Sequence, residues 1–126
     1  MFSKIAVTAA ELLQSGNLNP YEAWEKSLVK HKKDYTKDCP KNTFLGLCQE
    51  GYIKNVRKGR YTKASKNLDY AKEGVRLLKT TDKRYEKHGF LCNDIRSKLS
   101  LEPNPGDGQA PVILGLWEAG WTFRSH

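Results

Sequence analysis

Long hydrophobic runs are missing from this chain: none approaches the roughly 20 apolar residues that a membrane helix needs, which argues against a helical membrane protein. A mean hydropathy of -0.70 agrees. The start, Met1-Phe2-Ser3-Lys4, carries a single lysine, and the apolar stretch behind it is cut by Thr8 and ended by Glu11, so no signal peptide is expected. Cytoplasmic placement and no membrane partner follow as expectations. Cysteine is scarce and odd in number, with Cys39, Cys48 and Cys92 and no export signal, which points to reduced thiols rather than disulfides.

Recognisable catalytic signatures are missing as well. There is no Walker loop, dinucleotide fingerprint, serine elbow or His-Glu zinc motif, and paired carboxylates are sparse. His88 and Cys92 stand four residues apart and Cys39 and Cys48 nine apart, too wide for the close cysteine pair of a structural zinc site. Small buried hydrophobes and a solvent histidine account for them more simply. Cys39 flanks a helix start near Lys37 and Lys41, surroundings that lower a thiol pKa, yet no histidine can be named as its base and Asp38 opposes the thiolate. The sequence therefore supports neither a cofactor, a metal nor an enzymatic activity.

Acidic residues are in short supply in one place only. Of a net charge of +8, the 41 residues from Lys26 to Lys66 hold 12 bases against three acids, and the rest of the chain is close to neutral. At 126 residues the chain is expected to be one domain, 1–126, that folds without metal or disulfide staples.

Periodicity predicts an all-α fold of about six helices. Phe2, Ile5, Ala6, Ala9, Leu12 and Leu13 mark the first, stopped by Gly16-Asn17. Asn19-Pro20-Tyr21-Glu22 has the order of a capping box, and the helix behind it sends Ala23, Trp24, Leu28 and Val29 towards the core. A third starts at Pro40, carries Phe44, Leu45, Leu47 and Cys48, and ends at Gly51, with Tyr52 set to pack on Leu47 in a Schellman motif. Residues 52–62 read as a short basic hairpin or a plain loop. A fourth helix spans Ser65 to Lys79, and a fifth is capped by Asp82, interrupted at Gly89 and continued by Leu91, Ile95 and Leu99. After the loop Glu102 to Gly108, a sixth runs from Pro111 to Ala119.

Part of this pattern occurs twice. Phe44-Leu-Gly-Leu-Cys-Gln-Glu-Gly-Tyr52 matches Ile113-Leu-Gly-Leu-Trp-Glu-Ala-Gly-Trp121 at an offset of 69 (113 − 44), and Ala6 to Leu13 resembles Ala71 to Leu78 at an offset of 65 (71 − 6). The expectation is two tandem three-helix units, about 1–61 and 62–126, packed around their third helices. Gly46 and Gly115 are the warrant, because a glycine inside a helix costs about 1 kcal/mol unless close packing uses the missing side chain.

Two functions from different classes fit these features. The basic segment interleaves Tyr35, Tyr52 and Tyr61 with cations, a mixture suited to phosphate contact and base stacking, and predicts nucleic-acid binding of low sequence preference. Lys32, Lys33, Lys54, Arg57, Lys58 and Arg60 are the expected phosphate contacts, with Tyr61 beside them. The alternative is an interaction or scaffold module that forms a homodimer through Trp121 and Phe123. The motif Cys39-Pro-x-x-x-Phe-Leu-Gly-Leu-Cys-x-x-Gly-Tyr-Ile53, with Tyr61-Thr62 and Leu114-Gly-Leu-Trp-Glu-x-Gly120, resembles a family of small bacterial proteins of unknown function. That resemblance implies no activity, cofactor or site residue.

Overall fold

A computed structural model of the chain describes residues 2–33, 38–80, 85, 87–104 and 107–121. They form six helices: α1 (Phe2–Leu13), α2 (Pro20–Lys30), α3 (Asp38–Gln49), α4 (Ser65–Thr80), α5 (His88–Lys98) and α6 (Gln109–Glu118). Among the described residues there is no strand, and Ile53 makes an isolated bridge in what is otherwise a loop. No described helix is long and apolar enough to cross a membrane.

Local chemistry explains where the helices begin and end. Asn19 Oδ1 accepts from the Glu22 amide and Glu22 Oε1 accepts from the Asn19 amide, which completes the capping box and satisfies two backbone donors at the start of α2. At the end of α3, Gly51 takes φ +78° and the Tyr52 amide donates to the Leu47 carbonyl at 3.0 Å, the expected Schellman closure. The end of α6 repeats it: Gly120 at φ +78° and the Trp121 amide on the Leu116 carbonyl at 3.0 Å. Helices α2 and α5 close the same way, with Lys32 (φ 57°) and Ser100 (φ 58°) in the left-handed position that glycine usually fills.

The core lies around α3 and α6, which bury Thr43 to Cys48 and most of Gln109 to Leu116. Trp24 packs its ring on Phe44, with centroids 5.3 Å apart. Small residues on α1, Ala6, Ala9 and Ala10, let α2 and α6 approach closely, and Ser27 Oγ donates to the Ile5 carbonyl at 2.6 Å across the α1–α2 contact.

Close approach at the two helix glycines is present, with different partners from those expected. A Cβ on Gly46 would lie 3.3 Å from Leu68 Cδ1 of α4, and one on Gly115 would lie 2.6 Å from Ser3 Cβ of α1. These contacts correspond: Gly46 and Gly115 are 69 apart (115 − 46), and their partners Ser3 and Leu68 are 65 apart (68 − 3), the two offsets of the sequence match. So α3 lies on α4 and α6 on α1, in addition to the α3–α6 contact, and residues 1–61 and 62–126 are interlocked rather than stacked as separate bodies.

Four further expectations shift. Val29 points to solvent and is 73% exposed, because α2 turns only Ala23, Trp24, Ser27 and Leu28 inward. Helices α3 and α6 each begin two residues before the proline taken as their start, at Asp38 and Gln109. Gly89 sits inside the first turn of α5 without breaking it. Asp82 and Tyr35 lie outside the described residues.

Candidate nucleic-acid interface

The loop between α3 and α4 is tied down along its length. Gln14 Nε2, at the end of α1, donates to the Lys54 carbonyl, and its Oε1 accepts from Asn55 Nδ2 at 3.0 Å. The Lys54 amide donates to the Trp121 carbonyl at 2.9 Å. Gln49, on the last turn of α3, accepts from both the Tyr61 and Thr62 amides at 3.0 Å, and Thr62 Oγ1 bonds Asn42 Oδ1 at 2.9 Å. Inside the loop, Tyr61 Oη donates to the Arg57 carbonyl at 2.7 Å and the ring lies against Gly59, whose added Cβ would fall 3.0 Å from it. The Lys58 stem crosses Gly51, so even this side chain has a fixed root.

What the loop presents is positive charge with no acidic partner among the described residues. Of the four described arginines, Arg76 and Arg96 sit on carboxylates, Glu73 and Asp107, whereas Arg57 and Arg60 meet no acid among the described residues. Lys41 and Lys72, on helices, also face acids, Glu25 and Glu50. Lys54, Lys58 and Lys63 face none among the described residues and, like both loop arginines, are exposed. Exposed cations separated from acids are the electrostatic footprint of a polyanion site.

Two cavities flank this charge. One, about 430 Å³, is lined by the α1–α2 turn together with Asn55, Val56, Arg57 and Tyr61. The other, about 400 Å³, is lined by Gln49, Arg60, Tyr61, Thr62 and Lys63.

Lys54, Arg57, Lys58, Arg60 and Tyr61 therefore share one loop, and Lys32 and Lys33 lie exposed just past the end of α2. His31, beside Lys32, places Nε2 2.9 Å from Thr8 Oγ1, while the loop is tied to Gln14, six residues and about 9 Å further along α1. Next to His31 lies a groove of about 500 Å³ between α1 and α6 that also takes in Lys4, His88 and Glu118. Sequence reasoning gave no sign of it, since its polar residues come from four separated helices or helix ends.

A family model matches residues 1–122. The chain belongs to a family of unknown function, DUF6979. The resemblance drawn from the Cys39-to-Ile53 motif is thus to an uncharacterised family, as the match finds. Neither the curated proteins nor the solved structures compared with this DUF6979 chain give a match.

The surface proposed for self-association is less open in this DUF6979 member than its sequence suggests. Trp121 packs partly buried against the core and its carbonyl is taken by Lys54, while Phe123 lies outside the described residues. Among the described residues the exposed large apolar side chains are instead Tyr21, Val29 and Phe90. Among the cysteines, Cys39 is exposed and Cys48 and Cys92 are buried, and no group of three or more metal-binding side chains occurs among the described residues.

A second polar cluster lies inside the protein. Asp107, 7% exposed, accepts through Oδ2 from Tyr70 Oη at 2.8 Å and Arg96 Nε at 3.0 Å, with Cys92 Sγ at 3.2 Å, and through Oδ1 from the Gln109 amide at 2.9 Å. Gln109 carries the network on to Thr43 and Asn67, joining α3, α4, α5 and α6. Burial, reinforced by the neighbouring Asp107 charge, raises the Tyr70 hydroxyl pKa, and burial raises the thiols of Cys92 and Cys48.

These shifts give the fold an alkaline limit. Each group keeps its proton longer when folded than when unfolded, so the unfolded chain binds fewer protons and stability falls as pH rises. The contribution is complete below the unfolded thiol pKa of about 8.5 and is lost above it, more steeply once unfolded tyrosine ionises near about 10. The unfolding free energy from urea denaturation should fall from pH 8 to 10.5, by up to about 1.4 kcal/mol per pH unit for each such group. Cys48→Ala should flatten the first part of the decline, and a stability that stays level across this range would contradict the assignment.

Proposed function

We propose that the protein binds nucleic acid through phosphate contacts made by the loop between α3 and α4, with low sequence preference. Arg57, Lys58 and Arg60 lead the contact, with Lys54 and Lys63 at its edges. The observation that carries this reading is the contrast among the arginines: those on the helices are neutralised by carboxylates, and both of those on the loop are left to solvent. Arginine presents a planar donor fork matched to phosphate oxygens, and an unpaired one costs nothing to detach from a prior partner. The anchored backbone helps further, because a loop already held by Gln14, Gln49 and Asn42 loses little freedom when it binds.

Phosphate-led binding releases counterions, so affinity for a labelled oligonucleotide should fall with salt at a log–log slope of about −3, the value for four neutralised phosphates. Arg57→Ala, Lys58→Ala and Arg60→Ala together should reduce that slope to about −1 and weaken binding by more than about tenfold, with the helical circular dichroism unchanged. Binding that is insensitive to salt, or equal in the triple variant, would overturn the proposal.

A further inference from the structure

We propose that the ligand of this loop is single-stranded, its unstacked bases entering the two cavities on either side of Tyr61; this rests on the phosphate-binding reading above. Tyr61 belongs to both linings, with Arg57 in one and Arg60 in the other. An aromatic ring with a cation on each side is the arrangement on which consecutive bases stack while the backbone tracks the charges. Cavities of about 430 and 400 Å³ have room for a base and its sugar.

The larger cavity also offers groups that only an exposed base edge can use. Asn17 makes no side-chain hydrogen bond among the described residues. Asn19 uses Oδ1 for its cap and leaves Nδ2, and Asn55 uses Nδ2 on Gln14 and leaves Oδ1. Amide donors and acceptors of this kind pair with the edge of a base, adenine above all. Leu13, Leu18 and Val56 supply apolar surface for the base face. In a duplex the stacked bases keep their faces from an aromatic ring and their pairing edges from these amides, so a duplex gains only the phosphate contacts. Tyr61 is held for this role by its bond to the Arg57 carbonyl and by Gly59, where any larger residue would press on the ring.

The test measures anisotropy at low salt for four labelled probes: oligoadenylate, oligothymidylate, a duplex of the same length, and heparin, a polyanion without bases. Wild type should hold the single strands about tenfold or more tighter than the duplex. Tyr61→Ala should abolish that preference and leave duplex and heparin binding in place. Tyr61→Phe, which keeps the ring, should retain it, and Asn17→Ala should weaken oligoadenylate more than oligothymidylate. Equal affinity of wild type for single strand and duplex overturns the proposal while leaving the phosphate reading standing, as does a Tyr61→Ala variant that weakens all four probes alike. Failure of wild type to bind any probe, heparin included, overturns both.

Discussion

Asp107→Ala should cost about 3–5 kcal/mol in urea denaturation, the loss expected when one partner of a buried ion pair is removed. For a domain whose total stability is typically about 5–15 kcal/mol, that brings the variant close to unfolding at room temperature. The size follows from what the carboxylate serves. Its two oxygens receive a tyrosine hydroxyl, an arginine, a thiol and the backbone amide of Gln109 in the first turn of α6. Alanine removes the acceptor of the Tyr70 hydroxyl, of Arg96 Nε and of the Gln109 amide, and leaves the Arg96 charge, with its side chain 14% exposed, without a counterion. Asp107→Asn should lose less, about 2 kcal/mol, since an amide still offers one acceptor oxygen. Asp69 on α4 is exposed and makes no ion pair among the described residues, so Asp69→Ala should stay within about 0.5 kcal/mol of wild type. A loss below about 1 kcal/mol for Asp107→Ala would mean that the network does not hold α5 and α6 together.

Gly115→Val should cost about 3 kcal/mol, whereas Gly46→Ala should be close to neutral. Both glycines lie inside helices, where another residue recovers up to about 1 kcal/mol of helix propensity. Their surroundings decide the sign. At Gly115 the added Cβ would fall 2.6 Å from Ser3 Cβ and 3.1 Å from Ser3 Cα, so α1 itself must move. At Gly46 the nearest atom is Leu68 Cδ1 at 3.3 Å, the end of a side chain that can turn aside, and the backbone Cα of Leu68 at 3.4 Å is at ordinary contact distance. Thermal midpoints of the two variants, with Gly115→Ala between them, check the ranking, and a Gly115→Ala protein as stable as Gly46→Ala would refute the close α1–α6 crossing.

The elements that could be read from the sequence are those whose cause is local. The capping box at Asn19 and the Schellman end at Gly51 need only a few neighbouring residues, and both are found where the sequence places them. The helix glycines signalled close crossings for the same reason, a missing side chain. Their partners were not legible, because which helix fills the space depends on contacts across more than half the chain. The Asp107 network was invisible for a similar cause: it draws on Thr43, Asn67, Tyr70, Cys92, Arg96 and Gln109, and its centre lies in a Pro-Gly-rich stretch that reads as surface loop. The excess of bases in the middle segment covers both the loop at 54–63 and Lys32 and Lys33 past the end of α2, and counting charges along the chain does not separate the two.

The seating of Ser3 against Gly115 has a consequence for synthesis. A chain is made from its first residue onward, and α1 finds one of its two principal neighbours, α6, only after about a hundred further residues have been added. Until then Ile5, Ala6, Ala9 and Ala10 have α2 on one side and nothing to cover the other. The fold therefore cannot close piece by piece from the first unit to the second; its first helix waits for its last, across the longest sequence span of any helix pair in contact.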